Sequence, residues 1–145
     1  MTLPTVSIGG RQVRVSARGE PGEEDLVALR EMLSDPDSLD RRCRAAIRQD
    51  AEVDAEGPSR LYVIHHLGQL DRLAPRSATA APQSPTTSAV DAFLASMSVD
   101  SIWATPESDD TFLHVDYTID SERTDYVLSV TLDRRGTVES VEMER

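Results

Sequence analysis

The feature that most constrains the fold is an alternation of apolar and polar side chains over residues 112–143. Apolar positions alternate with polar ones within residues 112–120 and again within residues 124–133. This period of two is typical of a strand with one face in a core and the other in water. A turn containing Gly136, which tolerates positive φ, leads into residues 137–143. In this last segment Val141 and Met143 follow the alternation of apolar and polar positions, and Val138 is one position out of phase with them. The sequence therefore predicts three antiparallel strands whose apolar face must be covered.

A second β region opens the chain. Residues 3–8 and 12–17 alternate in the same way, and Gly9 and Gly10 between them suit a tight hairpin. Helical periodicity follows in four segments, with starts predicted at Glu23, at Asp37 or Ser38, at Ser59 and at Ser88. The third of these could instead begin as a strand over residues 61–64. A short strand is expected over residues 101–105.

Because strands cluster at both ends and helices lie between them, we predict an α+β fold. Its antiparallel sheet combines the C-terminal meander with the N-terminal hairpin, and about four helices cover it. The length of 145 residues fits a single domain over residues 1–145. Residues 75–88 are rich in Pro, Ser and Thr and lack large apolar side chains, so they are predicted to form a flexible linker or loop.

The charge is strongly negative and unevenly distributed. The chain has 15 Lys+Arg against 26 Asp+Glu, a net charge of −11, and every basic residue is Arg. Residues 75–145 contain 5 Arg and 13 acids, so −8 of this charge follows residue 74. Such a field repels nucleic acids and anionic membranes and favours a basic protein partner.

Several features concern the cellular location. The absence of Lys and Asn, whose codons are A-rich, indicates a GC-rich bacterial genome. Neither a signal peptide nor a membrane span is recognised, which favours a cytoplasmic protein. The single Cys43 agrees with a reducing compartment, and its spacing from Leu39 and Ile47 predicts a core position.

The pair His65 and His66 is the sequence feature that most suggests a catalytic or metal-binding site, since imidazole serves as a metal ligand or general base. Adjacent helical residues point about 100° apart, so the two rings are poorly placed to chelate one metal ion. A structural role is therefore favoured. We expect His66 to be partly buried beside Val63, with a ring nitrogen bonded to a backbone carbonyl or to a polar group from the sheet.

Other polar residues form possible functional surfaces. His114, Asp116 and Asp120 follow the outward phase of one strand, and Asp125 lies at the start of the next. Outward alternation already explains the first three as a solvated face. The acidic residues 107–110 lack the spacing of a calcium loop. No nucleotide, hydrolase or zinc motif occurs, so no catalytic residue, metal site or cofactor is predicted.

The sequence also resembles a known family. The resemblance is carried by residues 61–70, 115–120 and 124–126 and by the ending from Gly136 to residues 141–144. These segments are similar to the bacterial family of uncharacterised proteins called domain of unknown function 2004. Ile64 stands where that family usually has an acidic residue, and the linker is unusually rich in Pro, Ser and Thr. The resemblance implies no established activity.

Two hypotheses for function follow. The first is a non-enzymatic, acidic protein-interaction module, with neutralisation of a basic partner as its role. The alternative is a small metal-dependent or hydrolytic enzyme that uses His65 or His66 with Asp116 or Asp125. The sequence does not indicate an oligomeric state.

Overall fold

The computed structural model describes residues 3, 5–71, 87–120 and 124–145, and for residues 67–71 and 87–90 it describes the backbone alone. The strands are β1 (Thr5–Ile8), β2 (Arg11–Ala17), β3 (Ser98–Ala104), β4 (Leu113–Thr118), β5 (Val127–Leu132) and β6 (Val138–Glu144). The helices are α1 (Glu23–Met32), α2 (Pro36–Val53), α3 (Pro58–Asp71) and α4 (Thr87–Ala95). Most of the predicted linker, residues 75–86, lies outside the described residues.

The six strands form one sheet in the order β1-β2-β3-β4-β5-β6. This confirms the predicted α+β fold with an N-terminal hairpin and a C-terminal meander. The expectation of an all-antiparallel sheet was wrong at one place, because β2 and β3 pair in parallel. A parallel pair requires a crossover, and the helical region between β2 and β3 supplies it.

The tight turns use glycines as predicted. Gly9 and Gly10 have φ angles of 59° and 79°, which suit the two central positions of the β1–β2 hairpin. Gly136, at the turn between β5 and β6, has a φ of 84°. A side chain at any of these positions would be strained by its Cβ.

A bulge explains the position of Val138. The pairing shifts between Thr131 and Leu132, so that Leu132 pairs with Val138 while Val130 pairs with Val141. The extra residue between these pairs brings Val138 back into phase, and it packs against the core with Val141. The break in alternation was therefore the sign of a bulge.

Two predicted helix caps were wrong. Helix α2 is capped by Asp35, whose side chain accepts the Ser38 N–H at 3.1 Å, and not by Asp37 or Ser38. Pro36 at the first turn accounts for this, since its fixed φ suits a helix start. Ser59 lies inside α3, and its N–H donates to Asp50 Oδ2 at 2.9 Å. Residues 61–64 are helical, and the predicted cap at Ser88 involves a side chain outside the described residues.

One apolar core lies between the helices and the sheet. Helix α2 contributes Leu39, Cys43, Ile47 and Ala51, all buried. A polar network crosses this core, because Tyr117 Oη donates to Asp40 Oδ1 at 2.6 Å and Arg44 pairs with the same carboxylate at 3.0 Å. Arg44 also donates to the carbonyl of Met97 at 2.8 Å, which ties α2 to the end of α4.

Two arginines of α2 form ion pairs, one within the helix and one with a neighbouring helix. Arg44 pairs with Asp40 at i, i+4. Arg48 lies 3.6 Å from Asp91 of α4, so this second contact joins α2 to α4.

Cys43 is predicted to be unreactive in the folded protein. The residue is fully buried, and this burial raises the pKa of its thiol to about 12. Because the thiolate is the nucleophile, a disulfide reagent at pH 8 should modify Cys43 only as fast as the protein unfolds. A rapid stoichiometric reaction without denaturant would contradict this expectation.

Candidate functional site

The sheet has two unlike faces. Apolar residues such as Val15, Val115 and Val130 point to the face on which the helices of the described chain pack. We call the opposite face the outer sheet surface. It carries Arg14, Ser16, Arg18, Ser101, Trp103, His114, Asp116, Ser129, Thr131, Ser140, Glu142 and Glu144.

The strand register arranges these residues in rows across the sheet. One row runs from Trp103 through His114 and Thr131 to Ser140. The next row runs from Ser101 through Asp116 and Ser129 to Glu142. Directly opposed residues have Cβ atoms about 5 Å apart, so each row is a line of contacting side chains.

The centre of the outer sheet surface is an aromatic stack. The rings of Trp103 and His114 have centroids 3.6 Å apart and are nearly parallel, at 4°. The guanidinium carbon of Arg18 lies 4.3 Å from the indole centroid. Because β3 lies between β2 and β4, the indole stands between Arg18 and His114, which hold it by a cation–π contact and by stacking.

Asp116 is anchored to this stack through one carboxylate oxygen. Its Oδ2 accepts a hydrogen bond from Trp103 Nε1 at 2.9 Å and one from Ser101 Oγ at 3.1 Å. Its Oδ1 is buried and has no hydrogen-bond partner among the described residues. A buried carboxylate oxygen without a donor is costly, so Asp116 retains an acceptor that the described residues do not satisfy.

The surroundings of His114 favour its neutral form. The ring lies between two hydroxyls, with Nε2 at 3.3 Å from Thr105 Oγ1 and Nδ1 at 3.4 Å from Thr131 Oγ1. Burial is the main effect on its pKa and lowers it below the ordinary value. The backbone at Thr111 and the charge of Asp116 act in the opposite direction.

Trp103 is the only tryptophan, so its fluorescence should report the charge of His114. A protonated imidazole quenches a stacked indole more strongly than a neutral one does. Fluorescence should therefore fall on acidification with a midpoint below pH 6.5, because burial lowers the His114 pKa from 6.5. In a His114→Gln variant the transition should be absent. A midpoint at or above pH 6.5, or one that survives this substitution, would contradict the assignment.

His66 has the structural surroundings expected for it. It is 2% exposed, and its Nδ1 lies 2.7 Å from the carbonyl oxygen of Tyr62. Since a carbonyl only accepts, Nδ1 is the donor, and Nε2 accepts from the Thr124 hydroxyl at 2.8 Å. Both ring nitrogens are thus occupied. Metal binding by His66 would require one of these hydrogen bonds to break.

Three other sequence-predicted residues, His65, Asp120 and Asp125, lie near His66 and differ from it in their contacts. His65 is exposed and stacks edge-on against Tyr126, with ring centroids 5.0 Å apart. Asp125 is exposed, and the carbonyl of Asp120 accepts the N–H of Thr124 at 3.1 Å. The sequence-predicted residues therefore form two groups. His65, His66, Asp120 and Asp125 lie near α3 and the segment before β5, whereas His114 and Asp116 lie on the outer sheet surface.

The acidic residues 107–110 are tied to the rest of the fold. Arg134 donates to Asp109 at 2.6 Å and pairs with Asp25 of α1 at 2.6 Å. Its guanidinium also lies 4.4 Å from the ring of Phe112. Among the described residues, no group of three or more His, Cys, Asp or Glu could hold a metal ion.

Two members of the site were not predicted as functional residues from the sequence. Trp103 was predicted only as part of a strand, and Arg18 received no role. Ser101 and Trp103 are two residues apart in a predicted strand, which indicates that their side chains point to the same face of the sheet. Their pairing with His114 and Asp116 depends on the register of β3 against β4, which no local pattern specifies.

Comparisons with known proteins give no relative. No protein-family model matches the chain, and no curated protein or solved structure matches it either. A search of the described helices also finds none that is both long and apolar enough to cross a membrane.

Proposed function

We propose that this protein is a non-enzymatic binding module whose outer sheet surface receives a basic segment of a protein partner. The observation that carries the proposal is the half-buried carboxylate of Asp116 on the outer sheet surface, which has a hydrogen-bond acceptor that the described residues do not use. A carboxylate suits an arginine or lysine side chain, with which it forms a charge-assisted hydrogen bond.

The charge of the surroundings supports the same partner. Glu142 lies in the row of Asp116, and Glu144 is nearby on β6, both exposed. The net charge of −8 after residue 74 extends this field over the sheet half of the chain. Such a field attracts basic proteins over distances of about one Debye length, roughly 8 Å at physiological salt. Neutralising a basic partner is the role proposed for this binding.

The enzymatic alternative has less support. It requires His65 or His66 to act with Asp116 or Asp125, but the ring hydrogen bonds of His66 go to Tyr62 and Thr124 instead. Membership of the domain of unknown function 2004 family and a cytoplasmic location remain proposals that rest on the sequence features described above.

A peptide titration tests the proposed binding. The probe is a short synthetic peptide of alternating arginine and serine, and Trp103 fluorescence reports its binding. Affinity should fall with added salt. Glu142→Gln should weaken binding about two- to fivefold, as expected for an exposed ion pair. Asp116→Asn should weaken it about tenfold or more, because this carboxylate is partly buried.

The matched control is Glu52→Gln, which removes one charge from the exposed side of α2. Its affinity for the peptide should equal that of the unchanged protein. If all three variants lose the same affinity, the peptide senses only net charge and the proposed site is wrong. Equal binding of a peptide with glutamine in place of arginine would also reject the proposal.

A further inference from the structure

The outer sheet surface carries charges of both signs, separated to its two sides. Arg14 and Arg18 lie on the β2 side and are exposed; we call them the basic strip. Glu142 and Glu144 lie on β6 and are also exposed; we call them the acidic strip. The half-buried Trp103 and His114 lie between the two strips. A surface of this kind is complementary to itself.

The sheet topology places the two strips symmetrically. Strands β2 and β6 each lie two positions from β4 in the sheet order. A two-fold axis that runs along β4, in the plane between two stacked sheets, would place β2 of one protomer over β6 of its partner. Such a contact uses the same patch on both subunits, which is the commonest symmetry of soluble dimers.

The strand register also places one pair of these opposite charges at the same level along the strand direction. Val15 pairs with Ile102, so Arg14, one residue earlier, lies beside Ser101. Ser101 belongs to the row that ends at Glu142. Rotation about an axis parallel to the strands keeps each residue at its level, so Arg14 of one protomer meets Glu142 of its partner.

We infer that the protein associates with a second copy of itself through the outer sheet surface, with Arg14 of the basic strip facing Glu142 in the acidic strip of the second copy. The inference does not depend on the proposed binding of a basic protein partner. The acidic strip would take part in both self-association and that binding. Trp103 and His114 would lie near the centre of the contact, where aromatic residues contribute most to binding.

The available area sets the strength of this association. With the axis along β4, β1 has no strand opposite it and the facing strands are β2 to β6. Five strands spaced by about 4.8 Å make a surface about 19 Å wide. Strands of seven residues are about 23 Å long. Two such surfaces bury roughly 900 Å², an area typical of weak, transient contacts. The dimer should therefore be weak and reversible, with a dissociation constant in the micromolar range.

Sedimentation equilibrium tests this inference. Over concentrations from about 5 to about 500 µM, the average mass should rise from 15.9 kDa towards twice that value. Arg14→Glu and Glu142→Arg should each raise the dissociation constant about tenfold, because each places like charges opposite one another. The double variant exchanges the two charges and should restore the affinity of the unchanged protein.

The matched controls are Arg41→Glu and Glu52→Arg, which reverse exposed charges on α2 and should leave the association unchanged. A mass of 15.9 kDa at every concentration would overturn the inference. A double variant that stays monomeric with an unchanged melting temperature would do the same. Arg14→Glu also separates the two proposals, since it should weaken self-association while strengthening the binding of the arginine peptide.

Discussion

Replacing Leu128 by alanine is expected to reduce the free energy of unfolding by about 2–4 kcal/mol. Leu128 is completely buried in β5, between Tyr117 of β4 and Met143 of β6. Its removal leaves a cavity that the paired strands on both sides cannot fill, so the cavity adds to the lost burial of apolar surface. Urea unfolding followed by circular dichroism measures the change, and the melting temperature should fall by about 5–15 °C.

Ser129→Ala is the matched control, because Ser129 is the next residue and points to the outer sheet surface. Ser129 is only 3% exposed. Its small side chain lies between Asp116 and Glu142 on the neighbouring strands, which shield it. The substitution removes one hydroxyl and should cost less than about 1 kcal/mol. Equal costs for both variants would show that the two faces have been assigned wrongly.

The second large effect is expected for His66→Ala, at about 2–3 kcal/mol. The substitution removes a buried ring that stacks on Tyr62, with centroids 4.0 Å apart. It also leaves the Thr124 hydroxyl without the ring nitrogen to which it donates. This contact joins α3 to the segment before β5, so thermal unfolding should detect the loss directly.

His65→Ala provides the comparison for this variant. His65 is exposed and contacts the edge of Tyr126, so its removal should cost less than about 1 kcal/mol. If the purified protein instead held stoichiometric zinc that both single variants lost, the structural role of the pair would be wrong.

His66 and His114 should also make stability depend on pH. Burial is the main cause that lowers both pKa values from the ordinary 6.5. Below pH 6.5 the unfolded chain therefore binds more protons than the folded protein, and the free energy of unfolding decreases as the pH decreases. The stabilisation is fully present above pH 6.5 and is lost as the pH falls through the lowered pKa values. His114→Gln should remove the share of this dependence that belongs to His114.

The sequence alone determined the elements of this fold and the faces that they bury. The alternation in residues 112–143 is a property of neighbouring residues, and a strand must turn alternate side chains to opposite faces. Leu128 and Val130 could therefore be assigned to the core before any partner strand was known. His66 was likewise placed correctly, because its spacing from Val63 sets its position on the helix whatever packs against it.

The tertiary structure decided what depends on pairing between distant segments. The parallel β2–β3 pair, the bulge that returns Val138 to the core and the contact of Trp103 with His114 all require a strand register. A register is chosen by the packing of a whole face, because a shift of one residue would turn every side chain of a strand to the other side. The unpartnered oxygen of Asp116 and the opposed charge strips follow from that choice, and no local pattern in the sequence contains them.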